Sequence, residues 1–536
     1  MSRKPIHRDA GGAKRLLLLH PPVAKACEAP GGLVRLAGAL RRRGILCRLW
    51  DANLEGQLAL LASAERTCRE SEDTWTRRAA RRLQEHCDSL RSWEVYANPD
   101  RYRRAAASVN RLLAAAAEPF GVRLGLADYE ADSLSPVRSA DLLKSAGAPE
   151  NNPFHAWFRQ RFAEIFDEAM VSHVGFSINY LSQALSAFAM IGVIKREYPF
   201  LRIIIGGGLV TSWMRGPGWR NPFPGLVDEA ICGPGEEPLL AAMGKCGDGS
   251  HDRPDLAGFP LGGYLAPGVV LPYSASAGCW WRRCSFCPEP AEGNPYRPLP
   301  LERVAEDLRV LTAQVKPALI HFLDNALSPP LLKTLAEDPP GAPWYGFARV
   351  TSHLADPTFC RRLKESGCVM LKLGLESGDQ GVLDALNKGI DLRRSAEVLT
   401  RLQEAGIATY VYLLFGTPAE TQTAAIRTRE FIAAHRDRIG FLNLAVFNLP
   451  AYGPETEGLE TGEFYAGDLS LYRPFVHPQG WNRRAVKRFL DKEFRKKPCI
   501  AEILRRTPPF FTSNHAPFFV MASPFSSSPA SIPAAL

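Results

Sequence analysis

The chain has 536 residues, 46% hydrophobic and 23% charged, with a formal net charge of +9. That length exceeds what one core holds, so about three domains are expected. No apolar run approaches the ~18 residues that cross a bilayer, and the N-terminal "MSRKPIHRDAGGAKR" leads into "LLLLHPP", too short an apolar stretch for a secretory signal. Much of the positive charge sits in helix-like runs such as "TRRAARRLQEH" (76–86) and "RFLDKEFRKK" (488–497). Solvated faces explain those runs better than a nucleic-acid footprint does, which weighs against nucleic acid as a partner.

In chain order, "RLLLLHPP" (15–22) reads as a short buried strand. "GGLVRLAGALRRRG" (31–44) is a helix with Leu33, Leu36, Ala37 and Leu40 at helical spacing, stopped by Gly44. "ILCRLWDAN" (45–53) is a second strand. The pattern resumes with strand "SHVGFSINY" (172–180), helix "LSAFAMIGVIKREYP" (185–199), "LRIIIGGGLVTS" (201–212) and "LVDEAICGPGEEPLLAA" (226–242). Strand and helix in alternation predict a parallel sheet with helices on both faces. An Ala/Arg/Leu/Glu-rich stretch at about 55–170 is a mostly helical insertion, so the first domain runs over 1–252.

A Pro/Gly-rich linker, 253–268, precedes a second α/β series over 269–450. Its strands are "VVLPYSASAG", "ALIHFLDNAL", "WYGFARV", "VMLKLGLESG", "ATYVYLLFGTP" and "IGFLNLAVFNLP". Helices are expected at 300–314, 329–338, 356–367, 381–406 (a pair) and 419–436. Six βα-type units predict a barrel-like parallel fold with its chemistry at the C-terminal ends of the strands. The distinctive polar residues fall there: three cysteines, Asp324–Asn325, Arg349, Glu376–Ser377, and Thr417 with Glu420. Residues 451–536 form a C-terminal extension ending in a Ser/Pro/Ala tail of disordered composition. Within it His515 is either part of a packed segment closing over the barrel or a substrate-site histidine.

Cys279, Cys284 and Cys287 read C-x4-C-x2-C, with no fourth Cys or His nearby to close a zinc tetrahedron. The odd count argues against disulfides. Twelve cysteines, mostly scattered singly, fit a reducing, cytoplasmic setting. An iron–sulfur cluster with one open iron, zinc with a remote ligand, and inert thiols all remain readings of the spacing; the strand-end placement favours the cluster over zinc.

The cysteine triplet with Phe286 between its last two members, "GLESGDQGVLDALNKG" (374–389) and "YLLFGTPAET" (412–421) together resemble the radical SAM enzymes. The first gap is one residue longer than the common C-x3-C-x2-C. The layout resembles the subgroup with an N-terminal cobalamin-binding-like domain. The resemblance implies a Rossmann-like doubly wound sheet followed by a (β/α)6 partial TIM barrel. It also implies a 4Fe–4S cluster on Cys279, Cys284 and Cys287, and S-adenosylmethionine (SAM) on the open iron, cleaved reductively to a 5'-deoxyadenosyl radical. With cobalamin bound, the implied reaction is a methyl transfer. The implied partners are a small-molecule or peptide substrate and an electron donor such as flavodoxin or ferredoxin.

Candidate SAM contacts are Glu376, Ser377, Gly416, Thr417, Arg349 and Asp324. Arg349 is read either as a carboxylate partner of SAM or substrate or as a structural salt bridge, and Asp324–Asn325 alternatively as a cap on the next helix. Ser177, Gly206 and Gly207 resemble elements that hold the nucleotide tail of cobalamin. "LLHPPVAKACEAPGG" (18–32) lacks the D-x-H-x-x-G motif, so His20 is expected to be a strand-end residue rather than a cobalt ligand. Competing readings are an iron–sulfur electron carrier or zinc scaffold, and an RNA-modifying methylthiotransferase-like enzyme. The latter is disfavoured by the lack of a second cysteine triplet before the barrel.

Overall fold

The computed structural model describes residues 15–168, 170–249, 251–462, 467–509 and 515–520. The basic N-terminal stretch and the Ser/Pro/Ala tail lie outside the described residues.

The first domain is built on a five-stranded parallel sheet in the spatial order Leu46–Trp50, Arg15–Leu19, His173–Ser177, Arg202–Gly206, Glu229–Ala230. This is the doubly wound arrangement that alternating strands and helices predict. Residues 16–19 are all buried, which an apolar run tolerates only when helices cover both faces of the sheet. Helix Gly31–Arg42 buries Leu33, Val34, Ala37 and Leu40 and carries Arg41 and Arg42 in its last turn. The insertion is helical as expected, with helices Ala52–Thr67 and Pro99–Ala117 among its longest, and it also contains a small antiparallel hairpin, Val122–Leu124 with Tyr129–Ala131.

The second unit is a six-stranded, all-parallel sheet whose spatial order follows the chain: Val270–Tyr273, Leu319–Phe322, Trp344–Ala348, Cys368–Glu376, Ala408–Phe415, Phe441–Val446. Helices Leu301–Val315, Pro329–Glu337, Pro357–Glu365, Leu392–Glu404 and Gln422–Ala434 alternate with these strands. Ile320, Trp344, Leu371, Leu373, Val411 and Leu413 pack in the same cluster as Leu308, Leu332, Leu363 and Val398 of the helices. The C-terminal extension completes that layer: Phe489 and Phe494 contact Phe415 at ring-centroid distances of 6.3 and 5.2 Å. Among the described residues no helix is long and apolar enough to cross a membrane.

Candidate active site

The first barrel strand delivers the three cysteines. Ser276–Ala277 pairs antiparallel with Arg297–Pro298, closing the base of the cysteine loop into a short ribbon. Asp324, buried at the end of the second strand, accepts from the Ala275 amide (2.9 Å) and from the Ser276 hydroxyl. Burial pushes its carboxyl up, and these hydrogen bonds oppose the shift. The helix-cap reading of Asp324–Asn325 is corrected: Ser328 caps helix Pro329–Glu337 through the Leu331 amide. Asp324 braces the loop that carries the cysteines.

The first cysteine gap opens with a Trp280–Trp281 pair. The Arg349 guanidinium lies 4.2 Å from the Trp281 ring centroid and 5.6 Å from that of Trp280. It approaches Cys284 Sγ at 3.7 Å and donates to the Lys388 carbonyl. Arg349 forms no ion pair with a carboxylate among the described residues, so the structural salt bridge is replaced by cation–π stacking, worth about 0.5–2 kcal/mol per contact. Trp281 Nε1 donates to the Asn387 carbonyl (3.0 Å) and the Ser285 amide to that of Leu386 (3.1 Å), clamping the loop to residues 386–388.

Glu376 ends the fourth strand at φ +65°, where the ladder shifts register, and binds Lys388 Nζ at 2.7 Å. Lys388 Nζ also lies 5.4 Å from the Phe286 ring centroid, between the second and third cysteines in sequence. Neither Lys388 nor the two tryptophans stood out in the sequence, although Lys388 lies within "GLESGDQGVLDALNKG" and the tryptophans lie between Cys279 and Cys284. Ser377 is fully buried, its hydroxyl engaged with Thr428 Oγ1 (3.1 Å) and the Asp379 amide (3.1 Å), a bracing position inside the fold. The Gly416 amide donates to Glu420 Oε2 and the Thr417 carbonyl accepts from His477 Nε2 (2.8 Å). The buried Thr417 hydroxyl has no partner among the described residues. Burial pushes the Glu420 carboxyl up to about 7, against hydrogen bonds from Gly416 and Trp481.

Across from the cysteine loop, a cavity of about 850 Å³ is lined by Gly207, Thr211 and Cys232 of the first domain, Gly278 and Asn294 of the cysteine loop, and Tyr452. A smaller groove of about 190 Å³ adjoins it, and Gly207 lines both. Gly32, Gly175, Ser177, Gly206 and Ile231 line the groove at the C-terminal end of the first sheet. Ser177 Oγ accepts from Asn179 Nδ2 (3.0 Å), and Asn179 Oδ1 accepts from the Gly208 amide (3.0 Å). A Cβ on Gly206 meets only Ile231, at 3.6 Å, whereas one on Gly207 (φ +105°) would lie 2.5 Å from the Ile178 carbonyl oxygen. The space beside Gly207 is therefore occupied by backbone, whereas Gly206 and Gly32 face open groove. His20 is buried, with Gln183 Nε2 at 3.3 Å from both ring nitrogens, and burial lowers its pKa to about 4. It sits just after the first strand, as a strand-end residue.

Among the described residues no three His, Cys, Asp or Glu side chains are drawn together closely enough to hold a metal ion. The donor chemistry nonetheless fits an iron–sulfur cluster. Three thiols share one loop, and although burial pushes Cys287 up to about 12, away from the thiolate that binds metal, the cations of Lys388 and Arg349 oppose the upward shift of Cys284. Metal binding would displace those thiol protons.

Residues 273–432 match the family model of the Radical SAM superfamily. Over 182 residues the chain is 27% identical to an uncharacterized methyltransferase of Pyrococcus horikoshii, a match covering 32% of this chain and 39% of that protein. Over 199 residues it is 26% identical to the bacteriochlorophyllide d C-12(1)-methyltransferase of Chlorobaculum tepidum, covering 36% and 42%. It thus spans well under half the length of these curated relatives. The structure of TsrM from Kitasatospora setae with cobalamin and a [4Fe-4S] cluster bound superposes with a TM-score of 0.52 at 15% identity, covering 87% of this chain and 88% of that one. The cobalamin-dependent SAM radical enzyme OxsB with aqua-cobalamin bound superposes at 0.53 and 12% identity, covering 90% and 67%. Residues 273–432 are a Radical SAM domain, set in a two-unit α/β fold shared with TsrM and OxsB.

Proposed function

We propose that this chain is a radical SAM enzyme that binds a 4Fe–4S cluster through Cys279, Cys284 and Cys287 and, with cobalamin in the first domain's groove, transfers a methyl group. The observation that carries the reading is the juxtaposition of the cysteine loop, flanked by Arg349 and the Glu376–Lys388 pair, with a cavity that runs into a glycine-lined groove. The cluster would supply the electron for SAM cleavage and cobalamin a methyl carrier. Arg349 and Lys388 are placed to offset thiolate charge, and the Glu376–Lys388 pair offers polar contacts to the amino and carboxylate groups of SAM. The Thr417 hydroxyl, buried and without a partner among the described residues, is our candidate for a further polar contact. Ser177 and Asn179 supply hydrogen-bonding groups beside the groove, whose glycines leave room for a nucleotide tail. The cobalamin and cluster in the TsrM structure and the methyltransferase relatives support this reading. The electron is expected from a flavodoxin or ferredoxin.

The test is anaerobic reconstitution with iron and sulfide, followed by reduction in the presence of SAM with and without hydroxocobalamin. Release of 5'-deoxyadenosine or S-adenosylhomocysteine, with a cobalamin absorbance that stays with the protein on desalting, is the expected result. Neither product at any potential refutes SAM chemistry, and failure to retain cobalamin removes methyl transfer from the reading.

A further inference from the structure

The inner face of the barrel sheet changes character along the strands. Towards the N-terminal ends Tyr345, Met370, Tyr410 and Phe441 are buried, and His515 of the C-terminal segment packs against Tyr410 and Phe441 at 5.5 and 5.3 Å. Towards the C-terminal ends Phe347, Tyr412, Leu414 and Asn443 are half-exposed. At the boundary stands Lys372, paired in register with Phe347 and Tyr410 and only 1% exposed.

Its surroundings are unusual for an ammonium. Lys372 Nζ donates to His321 Nε2 at 2.9 Å and lies 4.4 Å from the Phe347 ring centroid and 5.0 Å from that of Tyr345. It has no carboxylate within ion-pair distance among the described residues. His321 stacks on Tyr345 (4.4 Å, 5°), and its Nδ1 is 2.9 Å from both carboxylate oxygens of Glu28, which reaches in from the loop after the first strand of the first domain. An ammonium can only donate, so Nε2 accepts and Nδ1 carries the proton towards Glu28. Lys25 and Cys27, from the same loop as Glu28, together with Tyr412 and His515 are the other titratable groups facing this cluster. A buried charge is costly unless it is paired, and an imidazole with two ring faces offsets only part of that cost. Burial, opposed by the Glu28 charge, takes Lys372 down to about 7. The ring that covers the ammonium, Phe347, is 4.9 Å from that of Tyr412, and both are half-exposed.

We propose that Lys372, oriented by the Glu28–His321 relay, anchors the carboxylate of a planar, ring-bearing substrate that reaches it from the half-exposed end of the barrel sheet by parting the Phe347 and Tyr412 rings. The inference rests on the radical SAM reading for the identity of the lumen as a substrate site. A single ammonium matches a single negative charge, which favours a carboxylate over a phosphate dianion. Phe347, Tyr412 and Leu414 offer flat apolar surface to the ring, and Glu28 and His321 are positioning residues.

Saturation-transfer NMR on the full-length protein, without reductant, tests the assignment with benzoate, benzamide and phenyl phosphate as probes. Benzoate is expected to bind about tenfold more tightly than neutral benzamide, as a charge-assisted hydrogen bond predicts, and more tightly than phenyl phosphate. Lys372→Met should erase the preference for acid over amide, Lys372→Arg should keep part of it, and SAM affinity should stay unchanged in both. No binding of benzoate, equal binding of acid and amide in the unaltered protein, or a preference that survives Lys372→Met overturns the proposal. Phenyl phosphate binding more tightly than benzoate overturns the carboxylate assignment. An acid preference lost with Lys372 in a protein that never cleaves SAM would leave the anchor standing and refute the enzyme reading instead.

Discussion

The two candidate cofactor regions differ in how much charge they carry. At the C-terminal end of the first sheet the candidate groove is lined mostly by glycines and apolar side chains, Gly32, Gly175, Gly206, Leu18, Ile204 and Ile231 among them, with Asn179 tying down the turn and one ion pair, Arg35–Glu236, in its wall. At the mouth of the barrel the corresponding positions hold charge, with Arg349 on two indoles, Lys388 on Glu376 and buried Asp324 bracing the cysteine strand. A groove rich in glycine and apolar side chains offers room and suits a large ligand held over a broad surface. A cluster of buried ions costs desolvation that only tight mutual pairing or a charged ligand offsets. Substitutions should therefore act through shape on one side and through charge on the other.

The largest effect is expected on the charged side. Replacing Cys279, Cys284 and Cys287 together with Ala should abolish cluster uptake, read as loss of iron content and of the brown chromophore, while circular dichroism stays near that of the unaltered protein. Retained iron in the triple variant would place the cluster elsewhere.

Next comes the Glu376–Lys388 pair, with side chains only 12% and 7% exposed. Lys388→Met leaves a carboxylate without its partner and should cost about 3–5 kcal/mol in denaturant unfolding. Glu376→Gln should weaken SAM binding roughly ten- to a hundredfold by calorimetry, the worth of a charge-assisted hydrogen bond. An unchanged SAM affinity in Glu376→Gln would make the pair purely structural.

On the groove side the two adjacent glycines should separate. Gly207→Ala forces a Cβ against the Ile178 carbonyl at a positive φ and should destabilise by about 1–3 kcal/mol whether or not cobalamin is present. Gly206→Leu should leave the melting temperature close to that of the unaltered protein but prevent retention of cobalamin on desalting. The reverse pattern would break the comparison.

The smallest effect is on pH dependence. Glu420 has its folded-state pKa raised to about 7 from 4.5. The native state then holds a proton that the unfolded chain has lost, so this residue makes stability fall as pH rises from about 4.5 to 7. Glu420→Gln should flatten that part of the stability–pH curve, measured by urea unfolding at several pH values. An identical slope in the variant would show that the carboxylate is charged in the native state.

Much of the fold was legible in sequence because both sheets are parallel and covered, so their strands appear as short apolar runs between helical patterns. The strand-end rule also located Asp324, Arg349, Glu376 and the cysteines. What local pattern could not supply was partnership across the chain. Arg349 meets Cys284 across 65 positions and the Lys388 carbonyl across 39, and the Glu28–His321 contact spans 293. Asp324 looked like a cap because it precedes a helix, but Ser328 stands closer to the helix start and takes that role. Gly207 looked like ligand space because glycine runs after strands serve both ligands and tight turns, and only the position of the Ile178 carbonyl distinguishes them.

The central claim, a cluster with one open iron on Cys279, Cys284 and Cys287 that receives SAM, is tested most directly by electron paramagnetic resonance of the anaerobically reconstituted, reduced protein before and after SAM is added. The account predicts the signal of one reduced 4Fe–4S cluster per chain, absent from the triple-alanine variant and shifted in its g values by SAM. Stoichiometric zinc in place of iron, or a cluster signal that SAM leaves unchanged, would contradict it.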